Sequence, residues 1–193
     1  MLCEHPILHS RVKGATVSDL AVGVLLAAGA GTRYGSPKVL AHDGLWLRTA
    51  VQALRDGGCD RVVVVLGAAD APMPDGVIAV HTPHWNQGMS ASFTAGLAAA
   101  SDAEYAVVHV VDTPDIGAEV VQAVLAAARE TGLARAVFDG RPGHPVVLAR
   151  RHVDAAVASA SGDFGARDFL RGRDDVIAVE CSHWATGIDH DYR

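Results

Sequence analysis

LAVGVLLAAGAGTRYGSPKVL, residues 20–40, passes from an unbroken apolar run into a loop punctuated by glycine. Leu20 to Ala28 shows no alternation of polar and apolar positions, the pattern of a strand buried on both faces of a parallel sheet. The loop therefore falls at a strand's carboxyl end, where open α/β sheets place their ligands. Gly29, Gly31 and Gly35 expose backbone N–H groups and allow close approach to phosphate oxygens, and Arg33 and Lys38 add positive charge suited to a triphosphate. Two familiar phosphate motifs fail here. A dinucleotide fingerprint needs glycine where Tyr34 stands, and a P-loop needs Gly-Lys-Ser/Thr where the chain has Pro37-Lys38-Val39. On composition alone the loop reads equally as a glycine turn carrying two solvated cations.

Outward from this loop, strands and helices alternate. A helix is expected over Leu47 to Asp56, stopped by Gly57-Gly58, then strands at RVVVVLG (61–67) and GVIAVH (76–81). Ser90 to Ala100 reads as a helix with Ser90 as its N-cap, YAVVHVV (105–111) as a strand, and Ala118 to Glu130 as an alanine-rich helix. ARAVF (134–138) and PVVLAR (145–150) flank the turn GRPGH and are expected to pair. A short helix near Phe164 to Arg171 and a strand near Val176 to Val179 follow. The fold expected is α/β: a doubly wound, mostly parallel sheet with a small C-terminal β-ribbon. Residues 1–17 read as an N-terminal extension and residues 18–193 as one domain.

Composition narrows the function classes. The chain has 193 residues, half of them apolar but only 5% aromatic, so its core must be built from Ala, Val and Leu. A formal charge of -6 argues against a general nucleic-acid or anionic-membrane surface. Cys3, Cys59 and Cys181 are far apart and show no zinc-ligand spacing, which favours reduced thiols and a cytoplasmic setting. The apolar run at 20–31 is too short to span a bilayer, and residues 1–13 show no secretory signal.

Four further segments carry possible chemistry, each with a plainer reading beside it. Asp112 ends the strand YAVVHVV at the sheet edge that carries the glycine loop, a placement suited to magnesium; D-T-P-D before a helix is also an ordinary capping turn, which accounts well for Asp115. HWNQGMSASFTAGL (84–97) leads from a glycine turn into a helix whose first turn holds Ser90 and Ser92, an anion site or merely a capped helix. His144, in GRPGHPVVLAR, is a hydrogen-bond donor to a ligand or a structural turn residue. Asp163 and Arg167, in SGDFGAR, line a pocket or cap a helix. His109, inside a strand, reads as a core histidine without a role.

In order, L-A-A-G-x-G-x-R-x-G-x-x-K (26–38), G-M-S-x-S (88–92), D-x-P (112–114), G-H-P (143–145) and G-D-x-G-A-R (162–167) resemble the molybdopterin-guanine-dinucleotide synthase superfamily of nucleotidyltransferases. The Ala-Ala-Gly start of the loop is most similar to the molybdenum cofactor cytidylyltransferase branch. The resemblance implies a Rossmann-like nucleotidyltransferase fold and transfer of CMP from CTP to molybdopterin, with release of pyrophosphate. It implies nucleotide contacts from Ala27, Ala28, Gly29, Gly31, Arg33, Lys38, Gly88, Met89, Ser90 and Ser92. Arg33, Lys38 and Asp112 become the catalytic set, and His144, Asp163 and Arg167 the acceptor-binding set. Magnesium is expected on Asp112 and Asp189, the latter from GIDHD (187–191), which matches a closing D-I-D-T-P only in part because Gly187 replaces the first Asp and His190 the Thr.

Three functions stay open at this point. One is cytidylyl transfer, with a molybdoenzyme receiving the product. Another is guanylyl transfer, or transfer to a different small phosphate acceptor. The last is a non-catalytic accessory protein that escorts a nucleotide or cofactor.

Overall fold

The computed structural model describes residues 19–192; the expected extension over 1–17 and Cys3 lie outside them. Seven strands form one sheet in the order β3-β2-β1-β4-β6-β5-β7. They are β1 Ala21–Leu26, β2 Arg61–Leu66, β3 Val77–His81, β4 Tyr105–Val110, β5 Leu133–Phe138, β6 Arg141–Ala149 and β7 Ile177–Glu180. β1 pairs in parallel with β2 and β4, and β2 with β3. β6 runs antiparallel to both β4 and β5, and β7 is parallel to β5. The expected hairpin is thus present but not set apart: β6 joins it to the main sheet.

Every residue of β1 and of β4 is buried, because helices cover both faces. α1 (Ala41–Asp56) and α3 (Ala118–Thr131) pack Leu47, Leu54, Val121 and Val124 against Leu25, Val64 and Val107 on one face. α2 (Met89–Ala99), α4 (Arg150–Ser159) and the short α5 (Arg167–Leu170) pack Phe93, Leu97, Ala156 and Leu170 against Val24, Val63 and Val108 on the other. Small side chains fill both layers, as the composition required.

Several boundaries differ from expectation for physical reasons. α1 starts at Ala41 instead of Leu47, but His42, Asp43 and Gly44 take left-handed conformations, so the regular helix begins only beyond them. α2 starts at Met89 with Gly88 before it and has no side-chain cap; Ser90 is not the N-cap, and its N–H donates to the Gly162 carbonyl at 2.9 Å. Asp115 does not cap α3. It accepts hydrogen bonds from the Thr186 N–H and hydroxyl at 2.7 and 2.6 Å and from the Gly187 N–H at 3.2 Å, tying down the chain's final segment. α4 was not anticipated, and the helix expected over 164–171 is reduced to α5.

Cys59 and Cys181 are free and buried; burial pushes the Cys59 thiol up to about 12, so it stays protonated at neutral pH. His109, in the middle of β4, is fully buried, and neither ring nitrogen has a partner among the described residues. Burial holds it neutral, with its pKa depressed from 6.5 to about 3. The unfolded chain takes up a proton below 6.5 that the folded chain rejects until about 3, so stability is full above that window and falls as pH drops through it. Urea unfolding at pH 7 and pH 5 should show a loss approaching ~1.4 kcal/mol per pH unit below the unfolded value, and His109→Gln should flatten that dependence. An equally steep dependence in the variant would assign the effect elsewhere.

Candidate nucleotide site at the carboxyl edge of the sheet

The carboxyl ends of β1 and β4 open into a cleft of about 610 Å³. The loop after β1 (Ala27 to Tyr34, and Lys38), the segment Trp85 to Met89, Ser92, Asp112, Gly162, Asp163 and Asp191 line it. The loop's turn depends on Gly31, whose φ is +59° and where a Cβ would lie 1.9 Å from the Ser36 carbonyl oxygen. A hydrogen bond from Gly35 N–H to Gly31 O at 2.7 Å closes the turn. Gly88, with φ +106°, lets α2 begin against the turn at 161–164; a Cβ there would meet the Gly162 carbonyl at 2.4 Å. Loop and helix start therefore both border the cleft.

Lys38 is the charged centre. Its Nζ donates to Asp112 at 2.7 Å and to Asp191 at 2.8 Å, and Arg33 donates to the second Asp191 oxygen at 2.9 Å. Burial opposes the Lys38 charge, but the two carboxylates outweigh it and raise its pKa above the ordinary value. The Lys38 hydrogen bond, acting against some burial, holds Asp191 low. Asp189 goes the other way: burial, then the negative fields of Asp112 and Asp191, raise its carboxyl. The final segment is pinned beside β4 by the His190 N–H, which donates to the Asp112 carbonyl at 3.0 Å. The His190 ring also lies 5.3 Å from Trp46, which in turn contacts Tyr34 of the loop.

The structure gathers most of the expected site. Ala27, Ala28, Gly29, Gly31, Arg33, Lys38, Gly88, Met89, Ser92 and Asp112 border the cleft, as does Asp163. Ser90 does not; it faces the turn at 161–164. His144 and Arg167 lie outside the cleft. His144 sits in β6, where Gly143-His144-Pro145 oppose Ala136 alone, and burial with the nearby Arg135 charge outweighs Asp112 and lowers its pKa to about 4. Arg167 opens α5, its guanidinium 5.3 Å above the Phe164 ring. Asp189 does not line the cleft. Asp191 is the residue that sequence reasoning missed, and the D-x-D alternation of GIDHD was its only trace.

A glycine-cradled cation pair beside strand-end carboxylates, on the edge of a doubly wound sheet, defines a nucleotide-handling α/β protein. Residues 23–177 match the family described as the MobA-like NTP transferase domain. The chain is 36% identical over 196 residues to nicotine blue oxidoreductase of Paenarthrobacter nicotinovorans, spanning 92% of this chain and 95% of that protein. Rv0371c from Mycobacterium tuberculosis H37Rv superposes with a TM-score of 0.73 at 25% identity, over 85% of this chain and 89% of that one. A nucleotidyl transferase from Methanothermobacter thermautotroptrophicus shares the fold, with a TM-score of 0.74 at 18% identity over 90% and 92% of the two chains. The chain belongs to the MobA-like NTP transferase family.

Gly31 and Gly29 separate loop geometry from loop composition. Gly31→Ala forces a Cβ onto a carbonyl and should cost ~1–3 kcal/mol in urea unfolding. Gly29→Ala meets nothing within 4 Å and should stay within about 0.5 kcal/mol of the wild type. Equal costs for the two would contradict the turn described here.

Proposed function

We propose that this protein transfers CMP from CTP to a small phosphorylated acceptor of the molybdopterin class and releases pyrophosphate. The observation that carries this reading is the Lys38 ammonium held between Asp112 and Asp191 directly under the glycine loop. An acceptor phosphate oxygen forms a bond to the α-phosphorus while the α–β anhydride bond breaks and pyrophosphate departs with the electron pair. No side chain need act as nucleophile. The loop N–H groups of Gly29 and Gly31 bind the phosphates, Arg33 and Lys38 neutralise charge that builds on the leaving group, and the α2 start with Met89 and Ser92 faces the nucleoside. Asp163, across the cleft, with His144 and Arg167 beyond it, orients the acceptor.

Among the described residues no three His, Cys, Asp or Glu are already arranged to hold a metal ion. The donor set nonetheless fits magnesium, which takes one or two carboxylates and completes its shell with water and substrate phosphates. Asp189 has a raised carboxyl, crowded by two other carboxylates, so a dication beside it relieves repulsion. Asp112 and Asp189 are the residues that would hold it. When bound, magnesium neutralises phosphate charge and polarises the reacting phosphoryl group. Asp112 engaged in that way would leave the Lys38 ammonium free for a phosphate oxygen. CTP and magnesium are both supplied in the cytoplasm, and a molybdoenzyme there would receive the product. No helix among the described residues is long and apolar enough to cross a membrane.

A second reading has its own support. The relative from Paenarthrobacter nicotinovorans is named an oxidoreductase, and the same cleft would then hold a redox nucleotide. Tyr34, in the place of the third glycine of a dinucleotide fingerprint, weighs against it. The test is to incubate the protein with CTP, magnesium and molybdopterin, following pyrophosphate, and in parallel with a reduced nicotinamide nucleotide and an electron acceptor, following its oxidation. Pyrophosphate release that falls by at least ~10²-fold in Lys38→Ala and Asp112→Ala is the expected result. Nicotinamide oxidation without pyrophosphate would replace the transferase reading with the redox one.

A further inference from the structure

Five charged side chains border the cleft: the cations Arg33 and Lys38, and the carboxylates Asp112, Asp163 and Asp191. Carboxylates outnumber cations among them, so the cleft as it stands opposes the polyanion that its loop is read as binding. Taking in a polyphosphate requires one of the three carboxylates to leave or to be neutralised.

Asp191 is the one free to leave. Asp112 directly follows β4, and its carbonyl accepts the His190 N–H at 3.0 Å. Asp163 lies in the turn at 161–164, fixed by the bridge between Ser161 and Phe164 and by the Ser90 N–H on the Gly162 carbonyl. The Asp191 N–H donates only to the neighbouring Asp189 carbonyl, at 3.1 Å. No backbone hydrogen bond among the described residues ties Asp191 or Tyr192 to the sheet. What holds Asp191 is its carboxylate, with Oδ1 accepting from Lys38 Nζ at 2.8 Å and Oδ2 from Arg33 Nη1 at 2.9 Å. One oxygen on each of two cations is also how a phosphate group sits between charged donors. Rotation of this side chain releases both contacts at once. Lys38 then keeps Asp112 at 2.7 Å, and Arg33, its side chain 67% exposed, is solvated by water.

We propose that Asp191 is an internal competitor for the phosphate site: its carboxylate fills the position between Arg33 and Lys38 and leaves when a polyphosphate binds there. The proposal rests on the reading of this loop as a triphosphate site. Before ligand arrives, the carboxylate keeps both cations paired. An anion that reaches only one of them leaves Asp191 on the other and meets its repulsion. A polyphosphate spans both, so its oxygens replace both hydrogen bonds together. The apparent affinity is then the intrinsic affinity multiplied by the fraction of molecules in which Asp191 is already out. Removing the carboxylate therefore tightens binding, the opposite of what losing a ligand contact would do.

Calorimetric titration of the whole protein with inorganic pyrophosphate, in magnesium-free buffer, tests the competitor without any contribution from a dication. Asp191→Asn keeps the side chain's shape, removes its charge and should bind pyrophosphate about tenfold more tightly than the wild type. Asp163→Asn removes a carboxylate that borders the same cleft but pairs with neither cation, and should change the affinity by less than about twofold. In the wild type, the Asp191 carboxylate carbon resonance should move with pyrophosphate along the same saturating curve as the heat. Unchanged or weaker binding in Asp191→Asn, an equal gain in Asp163→Asn, or an Asp191 resonance that stays fixed while pyrophosphate binds overturns the competitor. No binding by either the wild type or Asp191→Asn removes the competitor and the phosphate reading of the loop together. Pyrophosphate release from CTP reads the other claim. Transfer without a gain in Asp191→Asn removes the competitor alone, whereas the gain without transfer keeps the competitor and removes the transferase reading.

Discussion

Lys38 joins three parts of the chain through one ammonium group. Its ammonium reaches Asp112, 74 residues away at the end of β4, and Asp191, 153 residues away in the final segment. The side chain is only 13% exposed, so each partner it loses leaves a poorly solvated charge behind. Through this one group the glycine loop, the central strand and the chain's last turn hold a common geometry. Arg33 on Asp191, the Thr186–Gly187 hydrogen bonds to Asp115 and the Trp46 contacts with Tyr34 and His190 brace the same junction from outside. The cluster holds its carboxylates and cations close together without letting them collapse into isolated pairs. Polyanionic ligands and dications can be taken up by such a cluster because each replaces an interaction already present.

The rest of the sheet serves that junction by being rigid. β1 and β4 are buried on both faces and registered with each other over their whole length, which fixes the spacing between the loop and Asp112. α2 is brought against β1 and β2 by Phe93 and Leu97, so its first turn overhangs the cleft. Beyond β4, β6 and β5 carry His144 and Arg135.

Much of this was legible in the residues themselves, because the signals were local. The buried strands announced themselves by unbroken β-branched runs, and the loop by its glycines and its position after β1. α4 was hidden because RRHVDAAVAS follows β6 directly, with no capping residue and a polar first turn. Ser90 misled because a serine before an apolar run is an N-cap signal, yet Gly88 reaches the required extended entry and moves the start forward. Asp191 was missed because its partners are chosen by tertiary packing, which no spacing in GIDHD encodes.

Family membership and chemistry are separate matters here. The MobA-like fold houses this chain and a relative named as an oxidoreductase, so the function must be argued from the site. On the reading proposed above, the phosphates of a nucleoside triphosphate displace Asp191 from Lys38 and Arg33 in the presence of a dication. Thermal unfolding of the wild type and of Asp112→Ala, with CTP, GTP, ATP or UTP and with or without magnesium, measures that directly. A stabilisation that is largest for CTP, requires magnesium and disappears in Asp112→Ala is the predicted result. No stabilisation by any triphosphate under any of these conditions would contradict it.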